Sequence, residues 1–526
     1  MDRPADRSDP LRAGLHRRPG RARHRGRHEP GAAAAAAAGL RARPCVPGGG
    51  APGRGPRASP APTGPARPDA AELHGGHQRA EPGGVRAAVC RFPTRTDIGG
   101  IPVSKKKTVQ EITTLDDLIE HLKDAAKVEL STIPLYLYST YSIKTRGYSQ
   151  WAAGASAQRT MIGIAIEEML HLTLVRNLLI AVGDTSFRLY STDTIPTYPG
   201  KMLAREPELK FRLRKLSTDQ VENTFKQIEL PALPQGAALG EVEPYHSLGE
   251  FYARIEKGIT NLRSTIDWAT AKDKLWKFQY HRAYWNQYGG SDQPLIVVDE
   301  ESALNAMRII VDQGEGAPHD RGMLPDPVVR DPRKFPPEEI GKQQQSHYNK
   351  FSDIATGLDG IGVVLDDNGR QKYTIDNAEV IWPVLDDPDV TKVTADQSVK
   401  DLMELSNAIY CYLLALLDVI YQTPMEALAP ADRNLFTQSD RYGYERGFIA
   451  VMQGVLYPVC DLLVRTPLTK GASVHAGPPF QYHAFTKAPK AELAELCEKL
   501  LTSYPELGGD DGVQRQISLL PDIPKP

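Results

Sequence analysis

Within a run that is otherwise almost wholly apolar, Met161 to Val175, the chain places Glu168 and His171 three residues apart. On a helix, positions i and i+3 share a face, so both lie on the stripe that also carries Ile164, Ala165, Leu172, Val175 and Leu178. A stripe of that composition faces a core, where a carboxylate is costly to keep ionised without a partner. One solution is an ion pair or a hydrogen-bonded core histidine. The other is a metal ion, because a Glu-x-x-His pair turned into a helical bundle is a ligand unit of carboxylate-rich metal sites. The companions of the motif decide between them.

Upstream, Leu115, Leu118, Leu122, Ala125, Glu129, Thr132 and Tyr136 recur at three- and four-residue steps. This predicts a helix with Thr114 as N-cap and Asp116 and Asp117 in its first turn. Glu129 falls on the apolar stripe. Pro134 should disturb the hydrogen-bond ladder, an irregularity of the kind that accompanies functional sites in long helices. The helix around Glu168 is expected over 156–182, ending at Gly183 as its C′ residue. Over 184–300 the helical pattern gives way to Pro- and Tyr-rich segments, with helix-like spacing only at 247–261, so this stretch reads as an insertion. A third helix over 301–313 carries Leu304, Met307 and Val311 and leads to Glu315; beyond a Pro-rich loop a fourth carries His347, Phe351 and Ile354 on one face. Two long apolar helices, over 399–422 and 444–464, and a short one near 491–501 follow. Glu404, Asp418, Glu445 and Asp461 in this region read as caps or surface charges.

In order, the inward polar residues are Glu129, Glu168 with His171, Glu315 and His347. The spans Glu129 to His171 and Glu315 to His347 are similar, as two helical hairpins would produce if each supplied one carboxylate helix and one Glu-x-x-His helix. In the second hairpin the position of the Glu is held by Gln344, whose carbonyl oxygen is neutral. The expected fold is therefore mainly α: a four-helix bundle over 104–360, interrupted by the insertion between its second and third helices, with extra C-terminal helices over 361–526 packed on it.

Composition bounds the alternatives. Residues 1–103 are dominated by Arg, Ala, Pro and Gly and contain too few large apolar side chains to form a core; they read as a disordered extension or an upstream start-site artefact. With 63 basic against 65 acidic residues, the chain is not built as a nucleic-acid binder. Its five cysteines contain no C-x-x-C pair, so neither a zinc knot nor a disulfide framework is indicated, and the cytoplasm is the expected compartment. The apolar run 408–421 is read as too short to span a bilayer, and it contains Asp418, so it is expected to be a buried helix and no membrane partner is expected.

Several ordered stretches carry a resemblance. Lys127 to Tyr138, Glu167 to Leu172, Glu250 to Glu256, Val311 to Gly316, Ser346 to Phe351 and Ala476 to Phe480 look like successive signatures of the ferritin-like domain family that includes iminophenyl-pyruvate dimer synthase. The resemblance spans about Leu115 to Phe480. It implies Glu129, Glu168, His171, Glu315 and His347 as metal ligands, with Gln344 at the departing sixth position. Oxygen and nitrogen donors without thiolate suit one or two Fe ions, with Mn, Zn or Cu as alternatives. The resemblance further implies O2 as co-substrate and the oxidation or oxidative coupling of a small aromatic or amino-acid-derived molecule in secondary metabolism. Tyr136 and Tyr348 are the catalytic candidates beside the ligands. Tyr198, Tyr252, Trp276, Tyr280, Tyr284 and Trp285 offer aromatic walls for a substrate. A metal-storage protein, or a scaffold with a degenerate site, would use the same bundle without turnover. A homo-oligomer is compatible with any of these readings.

Overall fold

The computed structural model describes residues 111–144, 155–202, 205, 208–230, 245, 247–280, 295–314, 346–356, 363–365, 368–425 and 440–526. The expectations for 1–103, and for Glu315, Gln344, Tyr284 and Trp285, fall outside the described residues.

Helix α1 (Leu115–Tyr141) begins where expected: the Thr114 side chain accepts from the Asp117 N–H at 3.1 Å, and Asp116 and Asp117 occupy the positive end of the helix. Its stripe is buried from Leu118 through Tyr136, Glu129 included. Pro134 does not break α1. The helix continues for two further turns, and close to the proline the Tyr198 hydroxyl donates to the Ser131 carbonyl at 2.6 Å.

Helix α2 (Ala155–Ala181) lies along α1 and is buried on nearly every side of its second half. Gly183, at φ +103°, ends it: its N–H and that of Asp184 reach back to the Ile180 and Leu179 carbonyls. A side chain would be strained in that conformation, which is why glycine holds the C′ position.

Between α2 and the next long bundle helix, two features bear on the site. The first is a short helical passage, Thr218–Gln220, Val221–Phe225 and Lys226–Ile228, whose middle part has π-helical bonding and which leads into Glu229. The second is helix α3 (Leu248–Asn261), capped by Ser247, which packs on α1 and on α4 (Glu300–Gly314). Helix α5 (His347–Thr356) packs on α2, α4 and the π turn.

The residues drawn from these separate stretches share one aromatic cluster. The rings of Tyr136, Phe225 and Phe351 sit with centroids 4.9 to 5.1 Å apart in every pairing. Phe225 precedes Glu229 by four residues and Phe351 follows His347 by four. The cluster therefore fixes a hydroxyl, a carboxylate and an imidazole in one place.

The apolar run 408–421, read as too short to span a bilayer, is part of a longer apolar helix close to the expected 399–422. Helix α6 (Gln397–Gln422) has 26 residues, and both it and the stretch Gly443–Arg465 are long and apolar enough to cross a membrane. Val399, Leu402, Met403 and Leu405 extend the apolar face toward the N-terminus. In this fold α6 is a core helix: most of it is buried, and Asp418 turns inward to accept the Leu189 and Tyr190 N–H groups, each at 2.9 Å. The second stretch is not one regular helix, since a π turn at Met452–Leu456 separates Asp440–Val451 from Tyr457–Arg465. The strap Ala476 to Phe480 crosses α1 so closely that any side chain at Gly477 would collide with the Tyr138 ring and hydroxyl.

Candidate metal centre

Four segments meet in the bundle. From α1 comes Glu129, from α2 Glu167, Glu168 and His171, from the end of the π-containing passage Glu229, and from the first residue of α5 His347. Each is at most 3% exposed. Their ligand atoms fall into two groups, Glu129 with Glu168 and His171, and Glu168 with Glu229 and His347; within each group all lie within 4.8 Å of one another. Glu168 belongs to both. The His171 and His347 ring centroids are 5.5 Å apart.

Both imidazoles turn Nδ1 inward. His171 Nδ1 lies 3.5 Å from Glu129 Oε2 and 3.7 Å from Glu168 Oε1, and its Nε2 meets the Gln313 Oε1 at 3.1 Å. His347 Nδ1 lies 2.8 Å from Glu168 Oε1 and 3.7 Å from Glu229 Oε1, and its Nε2 meets Glu167 Oε2 at 2.8 Å. The outward contacts place a proton on each Nε2, so that a bound cation, taking the place of any proton on Nδ1, would find a lone-pair donor there. Despite its close carboxylates, His347 Nδ1 is buried without a hydrogen-bond partner. A cation shared with those carboxylates satisfies an atom so placed.

The carboxylates are held in turn. The Tyr252 hydroxyl donates to Glu129, the Tyr136 hydroxyl to Glu229 Oε1 at 2.5 Å, and Thr132 Oγ1 to Glu168 Oε2 at 2.6 Å. Glu167 is also engaged by the Lys350 ammonium. A Cβ at Gly314 would stand 3.2 Å from Glu229 Oε2, so α4 presents bare backbone to that carboxylate.

Burial sets the electrostatics. It pushes the Glu129 carboxyl up to about 7 and raises Glu168, whose neighbour Glu129 adds to the effect. Burial opposes ionisation of Glu167 too, but His347 and Lys350 outweigh it and bring that carboxyl down to about 2. Desolvation holds His171 below the usual imidazole value. It acts on His347 as well, where Glu167, Glu168 and Glu229 overcome it and raise the imidazole well above that value. Tyr136 and Tyr252, buried beside carboxylates, stay protonated and act as donors.

A buried set of three inward carboxylates and two imidazoles is expensive without compensating positive charge. One or two divalent cations would supply it, and oxygen and nitrogen donors without thiolate suit Fe or Mn, with Zn or Cu also accommodated. The residues present therefore fit a metal centre.

Of the residues singled out in the sequence, the structure brings together Glu129, Glu168, His171 and His347, with Tyr136 against them. Tyr348 is half-buried under the Lys226 ammonium, 5.3 Å from its ring centre, and its hydroxyl has no described hydrogen bond to these ligands. Tyr252, first read as a possible substrate wall, is a partner of Glu129. Sequence reasoning missed Glu229 because it stands outside any periodic pattern; the only local signal is a carboxylate between Ile228 and Leu230. It also passed over Glu167 and Gln313.

This fold and site define a helical carboxylate-histidine protein, and residues 122–356 match the Ferritin-like family model, so the chain carries a ferritin-like domain. Among curated proteins it is similar to dichlorochromopyrrolate synthase of Lentzea aerocolonigenes, 26% identical over 440 residues, covering 76% of this chain and 39% of the relative. It is also similar to 2-imino-3-(indol-3-yl)propanoate dimerase of Chromobacterium violaceum, 24% identical over 424 residues, covering 73% of this chain and 36% of the relative. The chain thus spans well under half the length of these curated relatives. A ferritin-like protein of Caulobacter vibrioides with a solved crystal structure aligns with a TM-score of 0.40 and 22% identity, over 61% of this chain and 91% of that one.

Proposed function

We propose that this chain is a metal-dependent oxidoreductase of secondary metabolism that couples two molecules of a 2-imino acid bearing an aromatic side chain, with O2 as oxidant. The observation that carries the metal-dependent part is the pair of buried ligand groups joined through Glu168. The names of the two curated relatives, a synthase and an imino-acid dimerase, support the substrate class.

Joining two such imines through one new carbon–carbon bond releases two protons and two electrons, which O2 takes up as H2O2. A redox-active metal pair, when bound, supplies the route for those electrons. Glu129, Glu168, Glu229, His171 and His347 would hold it. Burial excludes bulk water from the ligands and strengthens each charge interaction among them. The phenols of Tyr136 and Tyr252 keep their protons and fix the two outer carboxylates, and Thr132 fixes the shared one. Such restraint keeps the ligand set from reorganising as charge moves.

The test loads the chain anaerobically with Fe(II) and follows O2 uptake and products by mass spectrometry. Candidate imines are generated in place by an amino-acid oxidase acting on aromatic amino acids, with catalase present. The expected result is a coupled product and O2 uptake beyond that of the amino-acid oxidase alone, both lost in folded Glu168→Ala protein. Iron oxidation with mineral accumulation and no product would establish storage instead.

A further inference from the structure

The two halves of the centre are matched in their carboxylates and unmatched in their histidines. Each outer carboxylate, Glu129 or Glu229, receives one tyrosine hydroxyl, from Tyr252 and Tyr136 respectively. Glu168 is common to both halves. Behind the imidazoles the symmetry ends: His171 Nε2 faces the neutral amide oxygen of Gln313 at 3.1 Å, whereas His347 Nε2 faces the carboxylate of Glu167 at 2.8 Å.

From this we infer that the centre is unequal by construction: the position formed by Glu168, Glu229 and His347 takes a divalent cation first and more tightly, and Glu167 is the positioning residue responsible. An imidazole whose far N–H is donated to a carboxylate is a more basic ligand than one donating to an amide, because the acceptor's charge increases electron density at the inward nitrogen. Outer partners of this kind are worth roughly 10- to 100-fold in metal affinity. Lys350 anchors Glu167 without taking its place as acceptor, since the ammonium has only protons to give. The second position, with Glu129 and His171, lacks that anionic support among the described residues and fills afterward. The shared Glu168 couples the two events.

This inference rests on the metal-centre part of the proposed function, and its test separates the two. The full-length chain, freed of metal, is titrated with Co(II) by calorimetry and visible absorption. Wild-type protein is expected to bind two equivalents in two steps, the first roughly 10- to 100-fold tighter. Glu167→Gln should weaken the first step and merge it with the second. Gln313→Glu should strengthen the second and merge them from the other side, which keeps the test decisive if Glu167→Gln does not fold. His347→Gln should abolish the tight step, and His171→Gln the weak one. Two equivalents of equal affinity in the wild type would overturn the inference while leaving the metal centre intact. So would a tight step that survives Glu167→Gln in folded protein, or one that is lost with His171 and not with His347. Absence of any Co(II) binding would overturn both.

Discussion

At the scale of single residues, the site depends on donors that cost little to remove and matter through what they hold. Tyr252→Phe deletes one hydroxyl from a buried bond to Glu129. A buried carboxylate that loses a donor costs about 1–3 kcal/mol, so the protein should still fold, with a modestly lower melting temperature in a thermal scan. Co(II) affinity at the His171 half should fall by roughly tenfold, and calorimetry on the folded variant checks it; unchanged affinity would show that the hydroxyl does not restrain the ligand. Glu129, Glu168, His171 and His347 were legible in the sequence because each is a polar interruption of an apolar helical stripe. Glu229, Glu167 and Gln313 were not. Glu229 follows a π turn with no repeat to violate, and Glu167 lies one position off the stripe of Ile164, Glu168 and His171, on a side of α2 that is buried as well.

Among elements, the short passage Thr218–Ile228 and helix α5 are positioned by the ring cluster more than by their own length. Phe351 is fully buried between Tyr136 and Phe225. Phe351→Ala should cost about 3–5 kcal/mol of stability, the usual range for a buried phenylalanine, read from urea denaturation. It should also loosen the His347 half of the centre more than the His171 half, because the ring anchors the helix on which His347 lies. Equal weakening of both Co(II) steps would contradict this. The long elements α1, α2 and α6 were visible as periodic patterns. Helix α1 runs on past Pro134 to Tyr141, and the π turn at Met452–Leu456 is invisible to any 3.6-residue repeat.

Across the C-terminal region, His483 forms a clasp between chain segments far apart in sequence. Its Nδ1 meets Glu404 on α6 at 2.5 Å, and its Nε2 meets Glu492 at 2.9 Å on the helix Pro489–Leu500. Burial works against the charged imidazole, but the two carboxylates prevail and raise it above its ordinary value of 6.5; Glu492 is correspondingly held low. A raised histidine stabilises fully below its unfolded value, and that stability is lost as pH rises through the folded one. A lowered carboxylate stabilises above its unfolded value and loses that contribution as pH falls through the folded one. The clasp should therefore be strongest in mildly acidic solution. Its contribution should fade from about neutral pH upward and, through Glu492, again at strongly acidic pH. Thermal melts of wild type and His483→Gln across pH measure it: the gap between them should narrow as pH rises, and a constant gap would exclude the clasp as its source.

The burial of Glu129, Glu168, Glu229 and His347 on separate stretches of chain has a kinetic consequence. Among the described residues the ligands are covered by packed side chains, so escape of an ion held there would wait on a local opening of the least firmly docked of those stretches. Exchange would then be limited by how often the scaffold breathes, and its lifetime would shorten steeply on warming, as opening reactions do. The packing around the ligands thus acts as a clock for how long the centre retains what it has captured.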